Sequence, residues 1–424
     1  MRLLISAILA GSALALSPAA AHAQEVDSAV AADPFLTKFQ STFETPAALP
    51  AADFVPAESM EGPSHRVGSQ AYSDGLHNTY FLVTRSGDIE VTGTSALLER
   101  IREIYALEHL RGISKTDEFT DGLKKSATGK LEGAAAIVRD PVGTIKKVPK
   151  GASRFFGRIG EGIKGGRSEA EAGSALGGLT GVSKARAKLA AQLGISPYTT
   201  NEELQRELTN VARASAGGGL VVSAATAAIT GPASGVTSAL GVNQVLQDTL
   251  INSTPEDLRI INRKKLLQLG VNRSVADEFL MHPWFSPWHE TIITDALAGI
   301  GVNPTAFLDT ACKALTPEDA FYFQRLALIL AKYHAETPLK SIRSERGLVT
   351  ALDSANTLVV PVSLDYGVWA ERTARRVEEF TTQDRPNVKG IALWTDGRLS
   401  ARLTEELSKR NIAFRMSALE AAHR

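Results

Sequence analysis

Cysteine is almost missing from this chain. Cys312 stands alone among 424 residues, so no intramolecular disulfide can form, and no cysteine follows the N-terminal apolar run to accept a lipid. That single thiol sits in FLDTACKAL, where apolar residues fall at helical spacing and no base is marked nearby; it reads as a small buried hydrophobe, not a nucleophile. The glycine-rich run Gly160 to Gly166 lacks the Lys-Ser/Thr that completes a phosphate loop, and there is no nucleophile elbow, no paired-cysteine metal site and no internal repeat. His289-Glu290 is not a zinc helix, because Ile293 occupies the place of the second histidine four residues on. No cofactor and no metal site is expected. Formal net charge is also absent, with 46 basic and 46 acidic residues, so any strong field must be local.

Long apolar runs are scarce. The first one, LLISAILAGSALALS after Met1-Arg2, stops at Pro18 and precedes Ala21-His22-Ala23, the pattern of a secretory signal peptide cleaved after Ala23. Residues 1–23 are therefore expected to direct export from a bacterial cytoplasm to the periplasm, which leaves no role for nucleic acid. With 44% hydrophobic and 22% charged residues the remainder is ordinary globular sequence, long enough for two or three domains.

What is present in excess is positive charge in one place. From Lys124 to Arg167 eleven basic residues face three acidic ones, a local surplus of plus eight. Apolar residues thread this stretch at roughly helical spacing, including Phe155, Phe156, Ile159 and Ile163 among Lys146, Lys147, Lys150, Arg154 and Arg158. Asp140-Pro141 starts a turn and Pro149 ends it, so short broken amphipathic helices are expected. Each of its many glycines costs roughly 0.5–1 kcal/mol against alanine inside a helix. The segment needs something to bury its apolar side: an anionic bilayer surface, where each lysine or arginine contributes about 1 kcal/mol, or the protein's own core.

In chain order, residues 24–65 are rich in alanine, proline and acidic residues and read as a flexible leader. Residues 66–120 hold a hairpin, NTYFLVTRSGDIEVTG turning at Arg85 to Asp88, and a helix capped by Thr94 or Ser95 that covers it. After the basic Gly-rich segment, 121–182, comes a helical domain, 183–340. It contains the stretch Ala214 to Gln247, which has no charged residue and suits closely packed buried helices or a membrane-inserted hairpin. The aromatics of HPWFSPWHE, Trp284, Phe285 and Trp288, suit a core wedge or a ligand shelf. Residues 341–424 change to strand period and read as a small α/β module of order ββαβαβ. The fold class is thus α+β, mainly α-helical, with an N-terminal β-hairpin and that C-terminal module. Asp365 and Asp396 fall just past strand ends, where ligands bind in such units, and are candidates to hold a divalent ion or act as acid and base.

Several long phrases, DPVGTIKKVPKGASRFFGRIG at 140–160, LGISPYTTNEELQREL at 193–208, HPWFSPWHETII at 282–293, AKYH at 331–334, and VSLDYGVWAERTA with LWTDGRLSARLTEEL at 362–374 and 393–407, resemble a family of exported proteobacterial proteins. The resemblance covers most of the mature chain and implies a single unit; it implies no reaction, cofactor or binding residue. The basic helices are compositionally similar to membrane-touching segments of lipid-handling and toxin proteins. The expected function is a non-catalytic envelope protein that associates with anionic lipid or an envelope partner through residues 121–167. The alternatives are an envelope hydrolase or metal-dependent enzyme using Asp365 and Asp396, or a secreted scaffold or toxin-like protein. Oligomeric state is left open.

Overall fold

The computed structural model describes residues 43–117, 119–121, 182–216, 246, 249–250 and 252–419, and shows a mixed α+β chain. The expected signal peptide, the residues of the basic segment after Asp121, and the uncharged stretch from 217 to 245 lie outside the described residues.

In the N-terminal sheet, alternation decides which face is buried. Strands β1 (Ala48–Pro50), β2 (Glu61–Gly62), β3 (His65–Ser73), β4 (Asn78–Thr84) and β5 (Gly87–Thr92) pair antiparallel in the order β1-β3-β4-β5, with β2 on β3. Tyr80 and Leu82 of β4 point to the core with Val67 and Ala71 of β3. Between β4 and β5, Gly87 takes φ +123°, and the Thr84 hydroxyl donates to the Gly87 carbonyl at 2.6 Å while accepting from the Ser86 N–H at 3.2 Å.

This sheet is larger than the hairpin that the sequence suggested. The period of β3 is broken by a register shift between Val67 and Ala71, which hides the strand from a pattern search. Residues 43–62 are also part of the fold and not a flexible leader. Ala51 and Val55 sit in the core under the sheet, and the Glu44 carboxylate accepts hydrogen bonds at 2.6 Å from the Trp369 N–H and at 2.6 Å from the Ser400 hydroxyl. Their alanine and proline content conceals contacts that exist only once distant partners are assembled.

Helix α1 (Thr94–Ile113) serves two cores. Leu97 and Ile101 cover the sheet, whereas Ala106, Leu107 and Leu110 pack with the helix over 182–192, α2, and with α3 (Glu202–Ala216). The Asn201 side chain caps α3 by accepting from the Glu203 and Leu204 N–H groups, each at 3.1 Å. Helices α4 (Pro255–Gln268), α5 (Arg273–Leu280), α6 (Pro287–Ile300), α7 (Thr305–Ala311) and α8 (Pro317–Glu336) follow. Thr254 with Asp257 and Thr316 with Asp319 form capping boxes, each with proline at the first turn. Of the three expected wedge aromatics, Phe285 and Trp288 are buried and Trp284 is half-buried: Phe285 meets Phe279 at 5.0 Å between centroids and faces Phe323, while Trp288 packs with Leu258 and Ile292.

The C-terminal sheet runs β12-β10-β8-β7-β6, where β6 is Leu339–Glu345, β7 Leu348–Asp353, β8 Thr357–Val362, β10 Gly390–Thr395 and β12 Ile412–Arg415. β6, β7 and β8 are antiparallel neighbours, and β8, β10 and β12 are parallel. A short parallel pair, β9 (Tyr366–Gly367) and β11 (Arg398–Leu399), lies past the ends of β8 and β10. Along β10, Ala392 and Trp394 face the α8 side while Ile391 and Leu393 face α9 (Glu371–Thr381) and α10 (Ala401–Lys409), so the sheet is sandwiched between helices. β6 was not anticipated because LKSIRSE is half polar, as suits an edge strand. One continuous core cluster runs from Leu266 through Phe323 and Leu330 to Val359 and Trp394, so helices α4 to α8 and this sheet share their interior.

Phe323, 1% exposed and ringed by Phe285 and Phe307, is at the centre of that shared core. Phe323→Ala is expected to lower stability by about 3–5 kcal/mol, and to do so in one cooperative urea transition. Two separated transitions, one for the helices and one for the C-terminal sheet, would refute a common core.

Candidate functional site

A cleft of about 1420 Å³ opens where the carboxyl ends of β8 and β10 meet the N-terminal sheet. Ser363 to Asp365 and Asp396 to Arg398 form its floor. The other walls are β5, the first half of α1, the loop from Ser196 to Asn201, His289 of α6 and the first turns of α8. Both aspartates named by the sequence are therefore in one cleft.

Each of them is already committed to holding the chain together. Asp365, whose side chain is 9% exposed, accepts from the Asn78 N–H at 2.9 Å and from the Thr94 N–H at 2.8 Å, and lies 3.7 Å from His77 Nδ1. It thus caps α1 from the far end of the sequence; neither Thr94 nor Ser95 does so, and the residue before the helix, Gly93, has no side chain to offer. Burial pushes the Asp365 carboxyl up, but His77 and the two N–H groups outweigh it and hold the group below the usual aspartate range. For His77, burial disfavours the charged ring, and the bond and charge of Asp365, helped by Asp74 and Asp396, reverse this and raise its pKa. Asp396 accepts from Arg325 Nε at 2.7 Å, from the Ser363 hydroxyl at 2.8 Å and from the Leu364 N–H at 3.0 Å. Its oxygens are thereby spent on tying α8 to the end of β8.

The cleft contains a proton-active group that sequence reasoning missed. Glu99 and Glu103 lie one turn apart on α1. Burial raises both, and Glu103, which accepts from Arg100 at 2.6 Å and from the Thr199 hydroxyl, is pushed to about 7. The only signal in the sequence is the four-residue spacing within LLERIREIYALE, which looks like an ordinary solvated helix face. His289 lines the cleft with its Nδ1 buried and unpartnered, and burial depresses its pKa to about 4, so the ring is neutral. Its neighbour Glu290 is fully buried, raised by burial to about 8 against the pull of Arg259 at 3.5 Å. Cys312, half-buried, is pushed up to about 12 by burial and stays a thiol. Among the described residues no cluster of three or more histidine, cysteine or acidic side chains is arranged to hold a metal ion, and no helix is long and apolar enough to cross a membrane. The basic-segment candidates Lys146, Lys147, Lys150, Arg154, Phe155, Phe156, Arg158, Ile159 and Ile163 lie outside the described residues. No family model, curated protein or solved structure matches the chain.

Asp365→Ala strips the acceptor from two N–H groups and strands His77, and is expected to cost about 3–5 kcal/mol. The pair also fixes a pH dependence. The His77 share is complete below the ordinary histidine value of 6.5 and is lost as pH rises through its raised folded value, whereas the Asp365 share is present above 3.8 and is lost as pH falls through its depressed one. The urea-midpoint gap between the native chain and His77→Gln should therefore be widest between pH 3.8 and 6.5 and shrink as the pH rises above that window. A gap that is constant with pH would mean that the two groups are not ion-paired.

Proposed function

We propose that this chain is a non-catalytic envelope protein, exported to the periplasm, whose folded body presents the basic segment 121–167 to an anionic membrane surface. In this reading the β4–β5 hairpin with its flanking strands and the C-terminal α/β module form the scaffold, and the segment is the working surface. The observation that carries the reading is the surplus of plus eight between Lys124 and Arg167 in a chain whose net charge is zero. It is supported by the described residues on either side of 122–181: Phe119 shares one buried cluster with Leu189 and Ala190, so the chain leaves and rejoins the body at one place. The engagement of Asp365 and Asp396 in structural hydrogen bonds removes the main support for their use as a catalytic or metal-binding pair.

A second reading, an envelope hydrolase, is favoured by one observation. Glu103, near neutrality in a cleft beside parallel strand ends, has the proton affinity that general acid–base catalysis requires.

Co-sedimentation of the full chain with phosphatidylcholine vesicles, with and without phosphatidylglycerol, tests the first reading. Recovery is expected only with the anionic vesicles and should fall as salt shortens the screening length. Replacing Lys146, Lys147, Lys150, Arg154 and Arg158 by glutamine should weaken binding by about 1 kcal/mol per charge. Equal recovery with both vesicle types, or with neither, removes the proposal and leaves a protein-binding scaffold or the hydrolase.

A further inference from the structure

Helix α4 carries apolar side chains on the wrong side. Its inward face is Leu258, Asn262 and Leu266, all buried and spaced four apart, with the Asn262 amide donating to the Thr291 hydroxyl of α6 at 2.9 Å. On the outward face, where charged residues are expected, Ile260 is 62% exposed and Leu267 41% exposed. They flank Lys264 on one stripe, at the four- and three-residue spacings that align side chains along a helix. Ile260, Leu267 and Lys264 line a shallow depression together with Arg263, Gln268 and Arg273.

We propose that this face of α4 is a second contact with an anionic lipid surface, made by the described body independently of residues 121–167. The inference rests on the membrane reading above, but not on the segment that reading assigns. Its support is the combination of charge and apolar area. Three cations border the two aliphatic side chains. Arg263 and Arg273 share one counter-charge, Asp277, at 2.5 and 3.8 Å, and Lys264 has no carboxylate within ion-pair distance among the described residues. Glu256 and Asp257, the exposed acids one turn before Ile260, lie outside the depression. A surface that is at once apolar and short of negative charge matches a bilayer interface, where aliphatic groups enter beside the headgroups and lysine meets phosphate.

Other occupants fit less well. A second copy docked about a two-fold axis would set these cations against themselves. The basic segment of the same chain, at plus eight, would be repelled. The uncharged residues 217–245 would cover the aliphatic groups but leave the cations without a partner.

The test uses the full chain carrying Cys312→Ala, with an environment-sensitive fluorophore attached at Leu267→Cys in one preparation and at Phe156→Cys in another. Both are mixed with phosphatidylcholine vesicles with and without phosphatidylglycerol. The probe at 267 is expected to report water in solution and to shift to the blue only with phosphatidylglycerol. Lys264→Gln should weaken that response about fivefold. A probe at 267 that stays in water while the one at 156 shifts overturns the α4 contact and leaves the basic segment standing. A shift at 267 without one at 156 supports the α4 contact and removes the segment. A probe at 267 that is already blue without vesicles, or that responds equally to neutral ones, also overturns the inference, because the face is then covered by the chain itself or is insensitive to lipid charge.

Discussion

The Asp365 carboxylate, with Glu44 as a second tie to Trp369 and Ser400, holds the N-terminal sheet and the C-terminal module in register. Asp365 stands at the exit of β8, yet the two N–H groups it accepts from belong to Asn78 and Thr94, 287 and 271 positions away. One opens a strand of the N-terminal sheet and the other opens the helix that covers that sheet. Backbone bonds reinforce the same seam: the Asp365 and Tyr366 N–H groups donate to the Leu76 carbonyl, and the Asp365 carbonyl accepts from Arg398. At Gly397 a side chain is sterically excluded, since a Cβ there would fall 2.0 Å from the Leu364 carbonyl oxygen. A buried charge with fewer partners would be a liability, because removing it from water costs several kcal/mol. Two N–H donors at a helix start and a strand start, with His77 beside them, compensate that cost.

The cleft follows from this joint. Where the strands of an α/β unit end, their loops diverge and leave a crevice; here the crevice is bridged by the N-terminal sheet on one side through Asp365 and by α8 on the other through Asp396 and Arg325. The carboxylates at the strand ends are thereby turned from candidate chemistry into joinery. The carboxylates of altered proton affinity, Glu103 and Glu99, are on α1, whose first half is packed against the sheet and whose second half is packed against α2 and α3. Their burial results from one helix being shared between two cores.

Local signals were legible, and contacts between distant segments were not. The runs Thr254-Pro255-Glu256-Asp257 and Thr316-Pro317-Glu318-Asp319 announce helix starts because the capping atoms lie within three residues of what they cap. The α1 cap could not be read in this way, since its acceptor arrives from Asp365. β3 and β6 escaped notice because one contains a register shift and the other is a polar edge, and Glu44 gives no hint in its own neighbourhood of Trp369 and Ser400. The positions of Asp365 and Asp396 at strand ends were legible from the change of period. Their occupation was not, because it depends on which distant donors fold against them.

Charge balance links the body to its proposed surface. The chain as a whole carries 46 cations and 46 anions, so a segment at plus eight leaves the remainder at minus eight. A body with that surplus is repelled by an anionic bilayer wherever it approaches with an average patch of its surface. Approach is favourable only through patches whose local charge opposes the average and which also offer apolar area to the interface. The outward face of α4 meets both conditions, with Lys264, Arg263 and Arg273 around Ile260 and Leu267, and with Asp277 as the acidic partner of the two arginines. A neutral chain divided in this way orients itself at a charged surface, because turning its acidic remainder toward the lipid raises the electrostatic free energy while turning the basic segment or the α4 face toward it lowers it.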